Sequence, residues 1–141
     1  MPREGALKGA IRFLKLHKPI GILFDQNITR QFADFVDWFG YPAATSRLVG
    51  LLALRSQALV VVISMKYVGN DQYQVVYKIK DFESLYADTT LSNNEKVFQI
   101  NSEISSDYVE MIRDNPGEWF WMHRRWKTRP EGEPETFYSD L

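Results

Sequence analysis

The chain has no cysteine, which excludes disulfides, thiol nucleophiles and cysteine-ligated metals. It has two histidines, His17 and His123, too few for a histidine metal cluster. No metal and no cofactor is expected. Neither sign of charge prevails: 17 Lys and Arg stand against 18 Asp and Glu, a net charge of -1. Long-range electrostatics therefore favours neither a polyanion nor a polycation, and no nucleic-acid partner is expected. No apolar run reaches the roughly 20 residues that span a bilayer. The longest, residues 48–65, is broken by Arg55-Ser56-Gln57. The first residues are charged, but neither an apolar stretch nor a small-residue cleavage site follows, so no secretory leader is read. The expectation is a soluble chain, or one lying on a membrane through its surface.

Apolar and aromatic residues are plentiful. At 45% hydrophobic and 14% aromatic, 141 residues suffice for one domain with a substantial core. Residues 5–16 carry Leu7, Ala10, Ile11 and Leu14 at helical spacing, and Lys18-Pro19 ends that helix. Residues 20–24 are a short apolar run, consistent with a buried strand ending at Asp25-Gln26. Residues 35–39 suggest a strand closed by a turn at Gly40-Tyr41-Pro42. Thr45 or Ser46 can cap a helix running to about Arg55. The β-branched residues 59–65 predict a central strand, and the alternation over residues 73–80 an antiparallel neighbour. Ser92-Asn93-Asn94-Glu95 matches a capping box before a helix bearing Val97, Ile100, Ile104, Tyr108 and Met111 on one face. Residues 118–127 suggest the start of another helix, and residues 131–141 an acidic, loose tail. The expected fold is α/β: a mixed, mostly parallel sheet flanked by helices. It opens without a first strand, so it is expected to be incomplete at its N-terminus.

The densest chemistry lies in residues 115–130, with three tryptophans, His123 and four Lys or Arg residues. Guanidinium groups bind phosphate or carboxylate through a fixed fork of donors. Tryptophan favours the membrane–water interface. The set suits an anionic amphiphile. It also suits a plainer arrangement, in which Trp–Arg stacking holds the fold and the outer charges are solvated. On a helix, Arg125 and Arg129 would share one face, and Arg124 and Lys127 another.

Pro116, Trp119, Trp121, His123-Arg124-Arg125-Trp126-Lys127 and Thr128-Arg129-Pro130 resemble the C-terminal signature of the lipid A biosynthesis acyltransferases, within the lysophospholipid acyltransferase superfamily. Upstream, Gly21-Ile22-Leu23-Phe24-Asp25-Gln26 resembles that family's apolar strand ending in Asp-Gln. Trp38-Phe39-Gly40-Tyr41-Pro42-Ala43-Ala44-Thr45 resembles its Phe-Phe-Gly-x-Pro-Ala-x-Thr element. The likeness runs from about Arg3 to Pro130, and three elements in this order are specific. Residues 1–130 are accordingly read as the C-terminal part of an acyltransferase domain.

The resemblance implies transfer of a fatty acyl group from acyl carrier protein to a hydroxyl of a lipid A precursor or related glycolipid. It implies a peripheral position on the cytoplasmic face of a bacterial inner membrane. The family's general base sits in His-x-x-x-x-Asp/Glu, where the histidine takes the proton of the attacking hydroxyl. Here the residue five after His17 is Ile22, and five after His123 is Thr128. No catalytic residue is therefore assigned, and the chain is expected to be inactive alone. Asp25 and Gln26 are candidates for hydrogen bonding the acceptor, although an Asp at a strand end also caps turns. Arg124, Arg125, Lys127 and Arg129 are candidates for the anionic headgroup or the acidic carrier. Trp119, Trp121 and Trp126 are candidates for lipid contact. His123 is read as structural and His17 as a surface residue. The alternative from another functional class is a non-catalytic module that binds anionic lipid.

Overall fold

The computed structural model describes residues 3–134, 137 and 138. Helix α1 (Arg3–Lys15) leads into an extended, unpaired segment. A 3-10 turn (Arg30–Phe32) then precedes the hairpin of β1 (Ala33–Trp38) and β2 (Tyr41–Ser46). Helix α2 (Leu48–Ser56) follows, then a second hairpin, β3 (Val60–Gly69) and β4 (Gln72–Lys80). A short α3 (Glu83–Ala87), the long α4 (Asn93–Asp114) and a 3-10 turn (Pro116–Glu118) complete the order.

The expected mostly parallel sheet is not there. Among the described residues, the strands form two separate two-stranded sheets, both antiparallel. The reason lies in the connections. β1 and β2 are joined by Phe39 and Gly40, both at positive φ (58° and 87°), as a tight hairpin of primed type demands. β3 and β4 turn through Gly69, Asn70 and Asp71, also at positive φ. Loops this short pair neighbours only in antiparallel fashion, because a parallel pair needs a crossover of a dozen residues or more. The turn at Gly40 was anticipated, but Tyr41 and Pro42 belong to β2. Residues 20–24 form no strand; Phe24 is buried while Leu23 is 74% exposed.

Helix α4 is the axis of the molecule, packing against α2, β1 and β3. Ile100, Ile104, Val109, Met111 and Ile112 of α4 meet Trp38, Ala43, Ala53, Val62, Phe82 and Phe24 in the core. The predicted capping box is formed: Ser92 Oγ accepts from Glu95 N, and Glu95 returns a bond to Ser92 N. Ser92→Ala is expected to cost about 1 kcal/mol of stability, read as a lower midpoint in urea unfolding. Those bonds hold the Glu95 carboxyl below its ordinary range. The cap's contribution is therefore present above the ordinary carboxylate pKa and is lost as pH falls through the lowered value.

The second hairpin is fastened to α4 by charge. Lys78 pairs with Asp107 and Glu110, and Lys80 with Glu103 and Asp107. Its opposite face is different. Four cross-strand pairs, Val61–Ile79, Ile63–Tyr77, Met65–Val75 and Tyr67–Tyr73, present only apolar and tyrosine side chains, 40% to 61% exposed.

Candidate functional site

Two segments distant in sequence, residues 24–30 and 116–130, clasp one another beside the first hairpin. Asp25 Oδ2 accepts a hydrogen bond from Trp119 Nε1 at 2.9 Å. Asn27 makes three such links: its N–H donates to His123 Nε2 at 2.7 Å, its Nδ2 to Thr128 Oγ1 at 3.1 Å, and its Oδ1 accepts from Thr128 N at 3.1 Å. His123 thus spends one ring nitrogen on the backbone, as the structural reading expected. His17 is exposed, with a positive φ at the end of α1. Arg30 Nε donates to the carbonyl of Arg129 at 3.1 Å.

Arg125 occupies the centre of this clasp and is wholly buried. Its guanidinium donates to the carbonyl of Ala44 at 2.7 Å, to the carbonyl of Gln26 at 3.4 Å, and to Thr45 Oγ1. Its carbon lies 4.5 Å from the ring centre of Trp38. Burial pushes its pKa down to about 10, with the charge of Asp25 opposing that shift. The side chain remains a cation at neutral pH and joins the three segments that contain Gln26, Ala44-Thr45 and itself. The Pro-Ala-x-Thr element and the His-Arg-Arg-Trp element are therefore one structure: the first supplies the acceptors for the second.

Residues 119–130 do not form the anticipated helix; turns follow one another through the segment. The anticipated partition of cations holds even so. Arg125 and Arg129 are buried, whereas Arg124 and Lys127 are exposed. Arg129 donates to the carbonyl of Pro42 at 3.1 Å, pairs with Glu133 and lies over the Phe137 ring. Both inner arginines are thus committed to partners within the chain. Arg124 lies 6.0 Å from the Tyr138 ring centre. Of the anticipated loose tail, residues 135, 136 and 139–141 lie outside the described residues. Phe137 stacks on Trp126, and Tyr138 OH accepts from Trp126 N.

The three candidate tryptophans divide as well. Trp119 and Trp126 are half-buried and packed against the core, Trp119 touching Trp38, Phe39 and Trp121. Trp121 is 53% exposed and is flanked by Phe120 at 66% and Met122 at 83%. Phe120 and Met122 were not singled out in the sequence, because lone apolar residues in a tryptophan-rich run give no periodic signal.

Two grooves flank the clasp. The first, of about 620 Å³, is apolar and is lined by Leu14, Ile20, Ile22, Phe24, Leu52 and Tyr108 among others. The second, of about 590 Å³, is mixed and is lined by Leu23, Asp25, Ile63, Ser64, Tyr108, Ile112, Asn115, Glu118 and Trp119. Tyr108 borders both, stacked on Phe24 at 5.7 Å and on Trp38 at 6.2 Å. Burial, then the negative charge of Asp25, raises its pKa. Asn115 Nδ2 is buried without a hydrogen-bond partner, a condition that costs about 1–3 kcal/mol unless a ligand or water supplies an acceptor. Gln26, by contrast, is exposed, and its carbonyl rather than its side chain serves Arg125. Among the described residues, no cluster of His, Cys, Asp and Glu is arranged to hold a metal.

The profile of the bacterial lipid A biosynthesis acyltransferase family matches residues 1–128. The chain belongs to that family. Membership identifies it with acyl transfer in lipid A biosynthesis and with a lipid A-type acceptor. No curated protein gives a significant match. No described helix is long and apolar enough to cross a membrane.

Proposed function

We propose that this chain forms the acceptor-binding part of a lipid A acyltransferase that takes its acyl group from acyl carrier protein. The observation that carries the reading is the Asp25 groove. A carboxylate oriented by Trp119, the hydroxyl of Ser64, the carboxylate of Glu118 and the unpartnered Asn115 donor line one open groove. That mixture of acceptors and a donor suits a hydroxylated headgroup. The apolar groove across Tyr108 suits an acyl chain of the same molecule. Phe120, Trp121 and Met122, with Arg124 and Lys127 nearby in sequence, suit seating on an anionic bilayer surface, where aromatic residues favour the interface and each cation adds about 1 kcal/mol. The exposed cations also suit the acidic carrier. A bacterial inner membrane, on its cytoplasmic face, is the location in keeping with that donor.

The chemistry requires a base for the acceptor hydroxyl, and residues 1–141 contain no His-x-x-x-x-Asp/Glu. Asp25 does not replace it, since an ordinary carboxylate is a weak base toward an alcohol. The chain by itself is therefore inactive. With acyl carrier protein charged with a fatty acid and a lipid A precursor, the isolated chain is expected to give no acylated product; measurable transfer would overturn this.

Binding is tested separately. Vesicles of phosphatidylethanolamine and phosphatidylglycerol, with and without a lipid A precursor, are cosedimented with the chain. The precursor is expected to increase binding, and Asp25→Asn, which retains an oxygen for Trp119, to abolish that increase. Arg124→Ala with Lys127→Ala is expected to weaken binding to both kinds of vesicle and to flatten its salt dependence. A precursor effect that survives Asp25→Asn removes the groove from the reading. Binding to both vesicles without any precursor preference would instead support a non-catalytic module for anionic lipid.

A further inference from the structure

We propose that the clasp between residues 24–30 and 116–130 is a pH-sensitive latch, which His123 holds closed at neutral pH and releases on acidification. The bond that carries it runs from the backbone N–H of Asn27 to His123 Nε2, at 2.7 Å. A backbone N–H only donates, so this ring nitrogen must present a lone pair, and the ring must be neutral with its proton on Nδ1. A protonated imidazole carries hydrogen on both nitrogens. Two N–H groups would then face each other across 2.7 Å, and the ring must swing away. Asn27 loses its acceptor in the same event. The segment around Asn27 has little else to hold it. Among the described residues, residues 19–28 make no backbone–backbone hydrogen bond. Their place depends on the burial of Phe24, the Asp25–Trp119 bond, the two Asn27–Thr128 bonds and the bond from Arg125 to the Gln26 carbonyl.

The surroundings offer an added proton no compensation. The two clasped segments carry Asp25 and Glu118 against Arg30, Arg124, Arg125, Lys127 and Arg129. The elements packed against them add Asp34 and Asp37 of β1, Tyr41 of β2, Tyr108 and Arg113 of α4, and Glu133 and Tyr138 near the end of the chain. Asp25 is bonded to Trp119, Asp34 to Arg47, Asp37 to Gly40 N and Glu133 to Arg129. Among the described residues, no carboxylate is bonded to His123. The latch exists only with the neutral ring, whereas a histidine in the unfolded chain takes up a proton freely. Its contribution is therefore present above the ordinary histidine pKa of about 6.5 and is lost as pH falls below it. Asp25 and Trp119 stand on the same two segments and line the mixed groove, so release of the ring loosens one wall of that groove. The proposal does not rest on the function assigned above, because folding and amide exchange are blind to lipid and acceptor.

The chain has two histidines and no cysteine, so few groups titrate between about pH 7.5 and about pH 5.5. Across that window the folded-to-unfolded ratio of the full chain, from urea unfolding, is expected to fall about tenfold. His17→Gln, at the exposed end of α1, is expected to show the same fall. His123→Gln, whose side-chain oxygen accepts a hydrogen bond at either pH, is expected to show none. Should that variant fail to fold, the wild type still decides. Its Asn27 amide, followed by hydrogen exchange in NMR and corrected for the intrinsic effect of pH, is expected to be about tenfold less protected at the lower pH. A wild-type midpoint indifferent to pH, a dependence that His123→Gln retains, or an Asn27 amide equally protected at both values would overturn the proposal.

Discussion

Arg125→Ala is expected to destabilise the chain by about 4 kcal/mol, a large part of the 5–15 kcal/mol that domains of this kind possess. Arg125 is fully buried, and its guanidinium bonds to the carbonyls of Ala44 and Gln26 and to Thr45 Oγ1. Truncation leaves these acceptors without a donor, and bonds to a charged group contribute about 1.5–3 kcal/mol each. It also empties the space over Trp38, adding a cavity cost. Arg125→Lys is expected to recover less than half of the loss, since a single ammonium cannot span acceptors on separate segments as a planar fork does. Urea unfolding of both variants measures the effect; a loss below about 1 kcal/mol for the alanine variant would refute the central place given to this residue. The burial of Arg125 lowers its pKa, so the unfolded chain holds this proton more tightly than the folded one. The resulting penalty is constant at neutral pH and is relieved only as pH rises from about 10 toward the ordinary value. The variant's deficit is therefore expected to be independent of pH near neutrality.

Gly50→Ala is expected to cost about 2–3 kcal/mol, although alanine is ordinarily the better helix residue by about 1 kcal/mol. At Gly50, α2 lies close against α4. A Cβ there would stand 2.7 Å from the carbonyl oxygen of Val97, 2.9 Å from Val97 Cγ1 and 3.1 Å from Asn101 Oδ1. Backbone cannot yield cheaply. The same approach lets Gly50 N donate to Asn101 Oδ1 at 3.1 Å, while Asn101 Nδ2 donates to Asp34 Oδ2 at 2.9 Å. One buried asparagine thus ties α4 to both α2 and β1, and separating the helices breaks that link as well. Thermal unfolding decides: a variant as stable as the parent would mean that α2 shifts without loss.

The elements whose pattern is local were legible without the structure. The capping box of α4 needs only Ser92 and Glu95 three positions apart, and its helix follows from the spacing of Val97, Ile100 and Ile104. The alternation in β3 and β4 fixed an antiparallel pair in the same way. The pairing of Arg125 with Arg129 and of Arg124 with Lys127 was read for a helix that does not form, and the burial of the first pair was not anticipated. The assignments that failed depend on non-local neighbours. Residues 20–24 have the composition of a strand, but a strand exists only when another chain segment supplies its hydrogen bonds. Among the described residues none does. A parallel sheet was inferred from short apolar runs, which do not distinguish parallel from antiparallel pairing when the turn chemistry is passed over.

The sequence by itself determined the family, because the order of three motifs survives without any knowledge of their positions in space. It also determined the absence of a His-x-x-x-x-Asp/Glu in this chain. Only the tertiary structure decided which arginines face inward and that Asp25 meets Trp119. It alone showed that Pro42, Ala44 and Thr45 serve as the acceptors for Arg129 and Arg125. The physical reason is that a buried cation is tolerated only where several oxygens converge. Here those oxygens come from segments about eighty residues or more away in the chain, a distance across which no periodicity in the sequence carries a signal.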